Sequence, residues 1–116
     1  FISRKKRILK VSGRRIGCLE LEELFGGALA GHQIRELRIV GLPAPLYGEK
    51  IILCISSGQP ADILKKAVSG VNDTQDRYRR ISGVYLTENE FPKTANGKID
   101  DKRLMEEASI HGTIAL

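Results

Sequence analysis

Tryptophan is absent from this sequence, and only three phenylalanines and three tyrosines stand among its 116 residues. Modules that bind single-stranded nucleic acid stack bases on aromatic side chains set among basic ones. The six rings here are scattered, which weighs against that class. Cysteine is just as scarce. Cys18 and Cys54 stand far apart, with no CxxC pattern and no clustered histidines. Two thiols in a reducing cytosol fit this better than a disulfide. His32 and His111 are isolated from any acidic cluster or serine partner. Neither a metal site nor a hydrolase triad finds support, and both histidines read as surface or loop-packing residues. No apolar run approaches the roughly 20 residues needed to cross a bilayer. The opening "FISRKKRILK" carries its charges inside and no long apolar core after them, so it is not a signal peptide. The missing initial methionine points to a fragment or a processed chain, and the expected location is cytoplasmic.

What is present fits one folded domain spanning residues 1–116. Apolar residues make up 41% and charged residues 28%, so disorder is not the default. A chain of this size buries roughly two-thirds of its unfolded surface. The formal net charge is +5. Basic residues cluster at Arg4, Lys5, Lys6, Arg7 and Lys10, at Arg14 and Arg15, and at Arg77, Arg79 and Arg80. Such a balance suits a polyanionic partner; the plainer reading of each cluster is a solvated face.

The residue pattern predicts a mixture of elements. "RILKVSGRRIG" (7–17) places apolar residues on both sides of Ser12-Gly13, which reads as a short hairpin with Gly13 at its tip. "LELEELF" (19–25) sets Leu21, Leu24 and Phe25 at helical spacing, with Gly26, Gly27 and Gly31 expected to end the helix. "IRELRIVGL" (34–42) reads as a strand stopping at Gly41 and Pro43, and "APLYGEK" as a loop. "KIILCIS" (50–56) is a nearly unbroken apolar run, as in a central strand covered on both faces. "QPADILKKAV" (59–68) opens a helix at Pro60. "DTQDRYRRI" (73–81) reads as a further helix with Tyr78 and Ile81 facing in. "GVYLTE" (83–88) is a strand, and a last helix starts near Asp100 with Leu104, Met105 and Ala108 on its apolar face. Residues 109–116 are expected to fray. Without regular βαβ alternation the class is α+β: a small mixed sheet with an N-terminal β-hairpin, backed by helices.

One stretch stands out. "FPKTANGKID" (91–100) sets Lys98 directly after a tight Asn96-Gly97 turn. Taken alone the pattern is also that of an ordinary hairpin. It is not a phosphate-binding P-loop, because no glycine stands five residues before Gly97 and no Ser or Thr follows Lys98.

Order and spacing along the chain carry more. "SRKKRILKVSGRRIGCLELEEL", "ELRIVGLPAPLYGEK" and "FPKTANGKIDDKRL" follow one another between residues 3 and 104. Together they resemble the C-terminal domain of the adenylate-forming superfamily: acyl- and aryl-CoA synthetases, nonribosomal peptide synthetase adenylation domains and firefly-type luciferases. Arg4, Leu9, Lys10, Gly13, Arg15, Ile16, Glu20 and Glu22 fit the family's first segment, with Lys6 at its hinge position. Val40, Gly41, Pro43, Gly48 and Glu49 fit the second. Pro92, Lys93, Thr94, Gly97, Lys98, Ile99 and Asp100 fit the third. The departures are Ser3 for a glycine, Ala44 for an aspartate, Ile81 for a common proline and Asp101 for an arginine.

The resemblance implies a mobile lid domain of an ATP-dependent, AMP-forming acid–thiol ligase. A large N-terminal domain, absent here, would bind the carboxylic acid and, in the main, ATP and Mg2+. Lys98 would be the catalytic cation of adenylate formation, with Asn96 and Gly97 setting where its stem begins. Rotation about Lys6 would then bring in the hairpin, where Lys10 and Gly13 border the channel of the pantetheine arm. The acceptor would be coenzyme A or the phosphopantetheine of a carrier protein. No metal ligand is expected in this chain, and alone it should not adenylate anything. Two other classes stay open: a non-catalytic docking module for a carrier protein or adenylating partner, and a small basic nucleic-acid-binding domain, although no nucleic acid is expected.

Overall fold

The computed structural model describes residues 8–11, 13–44, 48–75, 80–111 and 113–115. The hinge Lys6, the basic residues from Arg4 to Arg7, Tyr78 with Arg77 and Arg79, and residues 45–47 of the expected 44–50 loop lie outside them; the rest of that stretch, Ala44 and Gly48 to Lys50, is strand rather than loop.

A six-stranded mixed sheet is organised around one strand. β1 (Ile8–Val11) and β2 (Arg14–Gly17) form the expected hairpin, with Leu9 opposite Ile16 and Val11 opposite Arg14. β3 (Glu36–Ala44) and β4 (Gly48–Ser56) pair antiparallel along nine residues, from Glu36 opposite Ser56 to Ala44 opposite Gly48. The other side of β4 borders β5 (Gly83–Thr87) in parallel register and meets β1 at Val11–Gly48. β6 (Ile114–Ala115) pairs with β5.

The alternation of β4 explains its central place. Ile51, Leu53 and Ile55 point into one buried cluster, and Ile52 and Cys54 into the other. The first cluster is closed by α1 (Cys18–Ala28) through Leu21 and Phe25, and by α2 (Ala61–Asn72) through Leu64 and Val68. The second is closed by α3 (Asp101–His111) through Leu104 and Ala108. Helices therefore cover both faces, as an apolar strand without polar alternation requires. Cys18 and Cys54 are buried, one in each cluster, and form no disulfide.

Four boundaries differ from the sequence reading, each for a physical reason. α1 runs through Gly26 and Gly27 to Ala28. Burial of Leu21, Phe25 and Leu29 on one side outweighs about 1 kcal/mol of lost propensity per glycine. β3 runs through Gly41 and Pro43 because, among the described pairings, it is bonded to β4 alone, and an edge strand tolerates proline. Instead of a helix over 73–81, the described residues form a turn after α2 and an irregular approach to β5. Ile81 is still buried, fixed by Asn72: its Oδ1 accepts the Ile81 N–H at 2.8 Å and its Nδ2 donates to the Ile81 carbonyl at 3.2 Å. Residues 109–116 do not simply fray, since α3 continues to His111 and β6 supplies hydrogen-bond partners to β5.

Candidate functional site

Lys98 stands on a small hairpin between β5 and α3. Phe91 is buried in the cluster under α3 and fixes where the segment starts. The Asp100 N–H donates to the Pro92 carbonyl at 2.8 Å, and the Thr94 N–H to the Lys98 carbonyl at 2.7 Å. Between these bonds Lys93 and Ile99 form an antiparallel bridge. The turn closes where the Gly97 N–H meets the Thr94 carbonyl at 2.9 Å. Gly97 has φ +81°, a left-handed conformation costly for other residues, which explains a glycine just before the lysine.

Pairing then dictates which way Lys98 points. Residues directly opposite in an antiparallel ladder share a face, and the next pair takes the other. Lys93 and Ile99 share the half-buried face against the domain. Thr94 and Lys98 share the outward face, and both are exposed. Among the described residues none pairs with the Lys98 ammonium. Asn96, also exposed, belongs to the same turn.

The inward face is pinned by charge. Lys93 Nζ lies 2.6 Å from Glu36 Oε1, both side chains being largely covered. Behind the hairpin, Arg38 forms a two-pronged pair with Asp101, at 2.8 Å from Nε to Oδ1 and 2.9 Å from Nη2 to Oδ2. The Asp101 hydrogen bond raises the Arg38 pKa against the opposing effect of burial. Asp101, a departure from the family pattern, thus locks the first turn of α3 to β3.

The β1–β2 hairpin is held differently. The Lys10 N–H donates to Glu49 Oε2 at 3.3 Å. A Cβ at Gly41 would stand 2.6 Å from Leu9 Cδ2 and 2.9 Å from Glu49 Oε2, so the missing side chain makes room for the hairpin. Gly13, at the exposed tip, has φ +82° and open space around it. Lys10 is exposed beside it.

The structure does not bring the two sets together. The hairpin joins the sheet at Gly48, and the Lys98 segment is fastened to Glu36, opposite Ser56. Those points are eight residues apart on β4, about 26 Å at roughly 3.3 Å per residue. Among the described residues, open cavities of about 340, 220 and 260 Å³ are lined by none of Lys98, Lys10 or Gly13. Both sets stand exposed on the surface of the domain. Among the described residues no group of His, Cys, Asp or Glu could hold a metal ion, and no helix is long and apolar enough to cross a membrane. His111 stacks on Tyr85 at 6.4 Å, and His32 sits in the Ala30–His32 turn with a covered, unpartnered Nδ1. Glu36, Glu49 and Arg38 had no assigned role in the sequence reading, since a partner far along the chain leaves no local signal.

No family model matches this chain. It is 31% identical over 101 residues to an acetyl-coenzyme A synthetase of Deinococcus radiodurans, covering 84% of this chain and 15% of that protein. The chain therefore spans a small part of the curated relative it matches. An acyl-CoA synthetase (AMP-forming)/AMP-acid ligase II-like protein from Dyadobacter fermentans superposes with TM-score 0.76 and 18% identity, over 91% of this chain and 30% of that one. ATP-bound MatB from Rhodopseudomonas palustris superposes with TM-score 0.68 and 15% identity, over 89% and 20%. The shared fold is that of a segment of larger adenylate-forming enzymes.

Proposed function

Given a chain that carries the C-terminal domain fold of the adenylate-forming superfamily, we propose that it is the mobile catalytic lid of an AMP-forming acid–thiol ligase. The observation that carries this is the outward Lys98, free of partners among the described residues, on a hairpin whose other face is clamped down.

Attack of a carboxylate on the α-phosphate of ATP builds negative charge on the phosphate oxygens and expels pyrophosphate. A cation already aimed at those oxygens stabilises that charge without reorganising. Lys98 has the reach, and its rigid base restricts where the ammonium goes. Magnesium, held by the companion domain, would supply further neutralisation. The second half transfers the acyl group from AMP to a pantetheine sulfur, of coenzyme A or of a carrier protein. The β1–β2 hairpin serves that half: Gly13 lets backbone approach the pantetheine arm, with the Lys10 cation beside it. Because the two elements are attached at opposite ends of β4, one lid position cannot present both to the same reacting atoms. Rotation about Lys6 would exchange them.

The test is Lys98→Ala in the full-length ligase bearing this segment. ATP–pyrophosphate exchange should fall on the order of a hundredfold or more, the loss expected for one donor to developing charge. Exchange within twofold of the parent would reject the assignment. The 116-residue chain alone should release no pyrophosphate with any acid.

A further inference from the structure

We infer that Glu36 and Lys93 form a positioning pair for Lys98, and that Glu36 decides which of the hairpin's two lysines is available to substrate. The inference rests on the reading of Lys98 given above and deepens it. The hairpin carries two ammonium groups five residues apart, and their fates differ. Lys93 Nζ lies 2.6 Å from Glu36 Oε1 and 3.5 Å from the Phe91 carbonyl, on the covered face. Lys98 lies on the exposed face.

The ends of the ribbon are anchored by buried Phe91 and by the Arg38–Asp101 pair; between those ends little else fixes its roll about its own axis. Ile99 is only half buried, and the bonds from Asp100 to Pro92 and from Thr94 to Lys98 run within the ribbon itself. Those bonds hold its shape but not its orientation on the domain. The Lys93–Glu36 contact crosses 57 positions of sequence to β3, whose register with β4 is fixed along nine residues. It is therefore the polar strut between a local hairpin and the rigid sheet. Because Lys98 is on the opposite face of the same ribbon, a roll released by loss of the strut swings the ammonium directly. Glu36 also neutralises Lys93, which otherwise would present a second cation beside the first. Neither residue touches substrate in this account; both act through Lys98.

The experiment uses the full-length ligase with Glu36→Gln, Lys93→Gln, the exchanged pair Glu36→Lys with Lys93→Glu, and Lys98→Ala as reference. Misplacing a catalytic group by about 1 Å costs on the order of a hundredfold, so each single change should lower kcat for pyrophosphate exchange about 10- to 100-fold, with KM for ATP within about twofold. Thioester formation from a supplied acyl-adenylate should stay within about twofold, and the exchanged pair should recover most of the lost exchange rate. A merely structural role would lower both half-reactions together, with loss of helical circular dichroism, and would overturn the inference. So would Glu36→Gln exchanging at the parent rate while Lys98→Ala is inactive; in that case the lid reading stands and the strut alone falls. If Lys98→Ala exchanges normally, both fall.

Discussion

The two ends of β4 are fastened by different physics. At the Gly48 end, the hairpin is held by main-chain pairing, by a Glu49 carboxylate accepting a backbone N–H, and by the space left at Gly41. At the Ser56 end, the Lys98 ribbon is held by one side-chain ion pair and by apolar anchors at Phe91 and Ile99. The first arrangement rests chiefly on main-chain pairing and close approach, the second on a side-chain ion pair and apolar anchors. What the ends share is the strand between them, so damage to β4 should reach both, and damage at one end should stay there.

The largest effect is expected from Leu53→Ala. Leu53 is fully buried in the middle of β4, and such truncations cost about 2–5 kcal/mol. Urea unfolding should show that loss, and amide exchange should quicken at both ends together. Loosening at one end only would break the idea of a common spine. Gly41→Val comes next, at about 1–3 kcal/mol from overpacking against Leu9 and Glu49. Amide protection should fall at Leu9 and Lys10 and persist at Thr94 and Asp100; equal loss at both would contradict local fastening. Asp101→Ala removes the two-pronged partner of Arg38 and should cost about 1–2 kcal/mol. Its effect belongs to the α3 side, so the β1–β2 amides should keep their protection.

The smallest effect is one of pH. Burial raises the Tyr85 pKa above its ordinary 10.0, with the Glu107 charge and hydrogen bond adding to it. The unfolded chain then releases the phenolic proton before the folded one, so this contribution is full below about pH 10 and is lost as the pH rises beyond it. Tyr85→Phe should flatten the fall in melting temperature over that alkaline range. An unchanged slope would mean that another group governs it.

Much of this was legible in the residues. The apolar run at 50–56, the turn glycine Gly13 and the Pro60 helix start each carry a local signal, and each stands where the pattern placed it. The helix end at Gly26 and the strand end at Gly41 were misplaced because tertiary burial outweighs local propensity. The absence of a helix over 73–75 and 80–81 follows from Asn72, whose side chain holds Ile81 by two bonds no periodicity predicts. At the site, the sequence marked Lys98 and Gly13. It could not mark Glu36, nor show that Glu49 holds the Lys10 N–H, because those contacts arise only when the sheet brings distant residues together.

The most direct test of the two-ended account crosses two substitutions with two half-reactions in the full-length ligase. Lys98→Ala should abolish most pyrophosphate exchange and spare thioester formation from synthetic acyl-adenylate. Gly13→Leu should spare exchange and abolish most thioester formation, because leucine resists φ +82° and obstructs the approach of the pantetheine arm. Equal damage by both substitutions to both half-reactions would contradict the account and leave Lys98 and Gly13 as supports of one static structure.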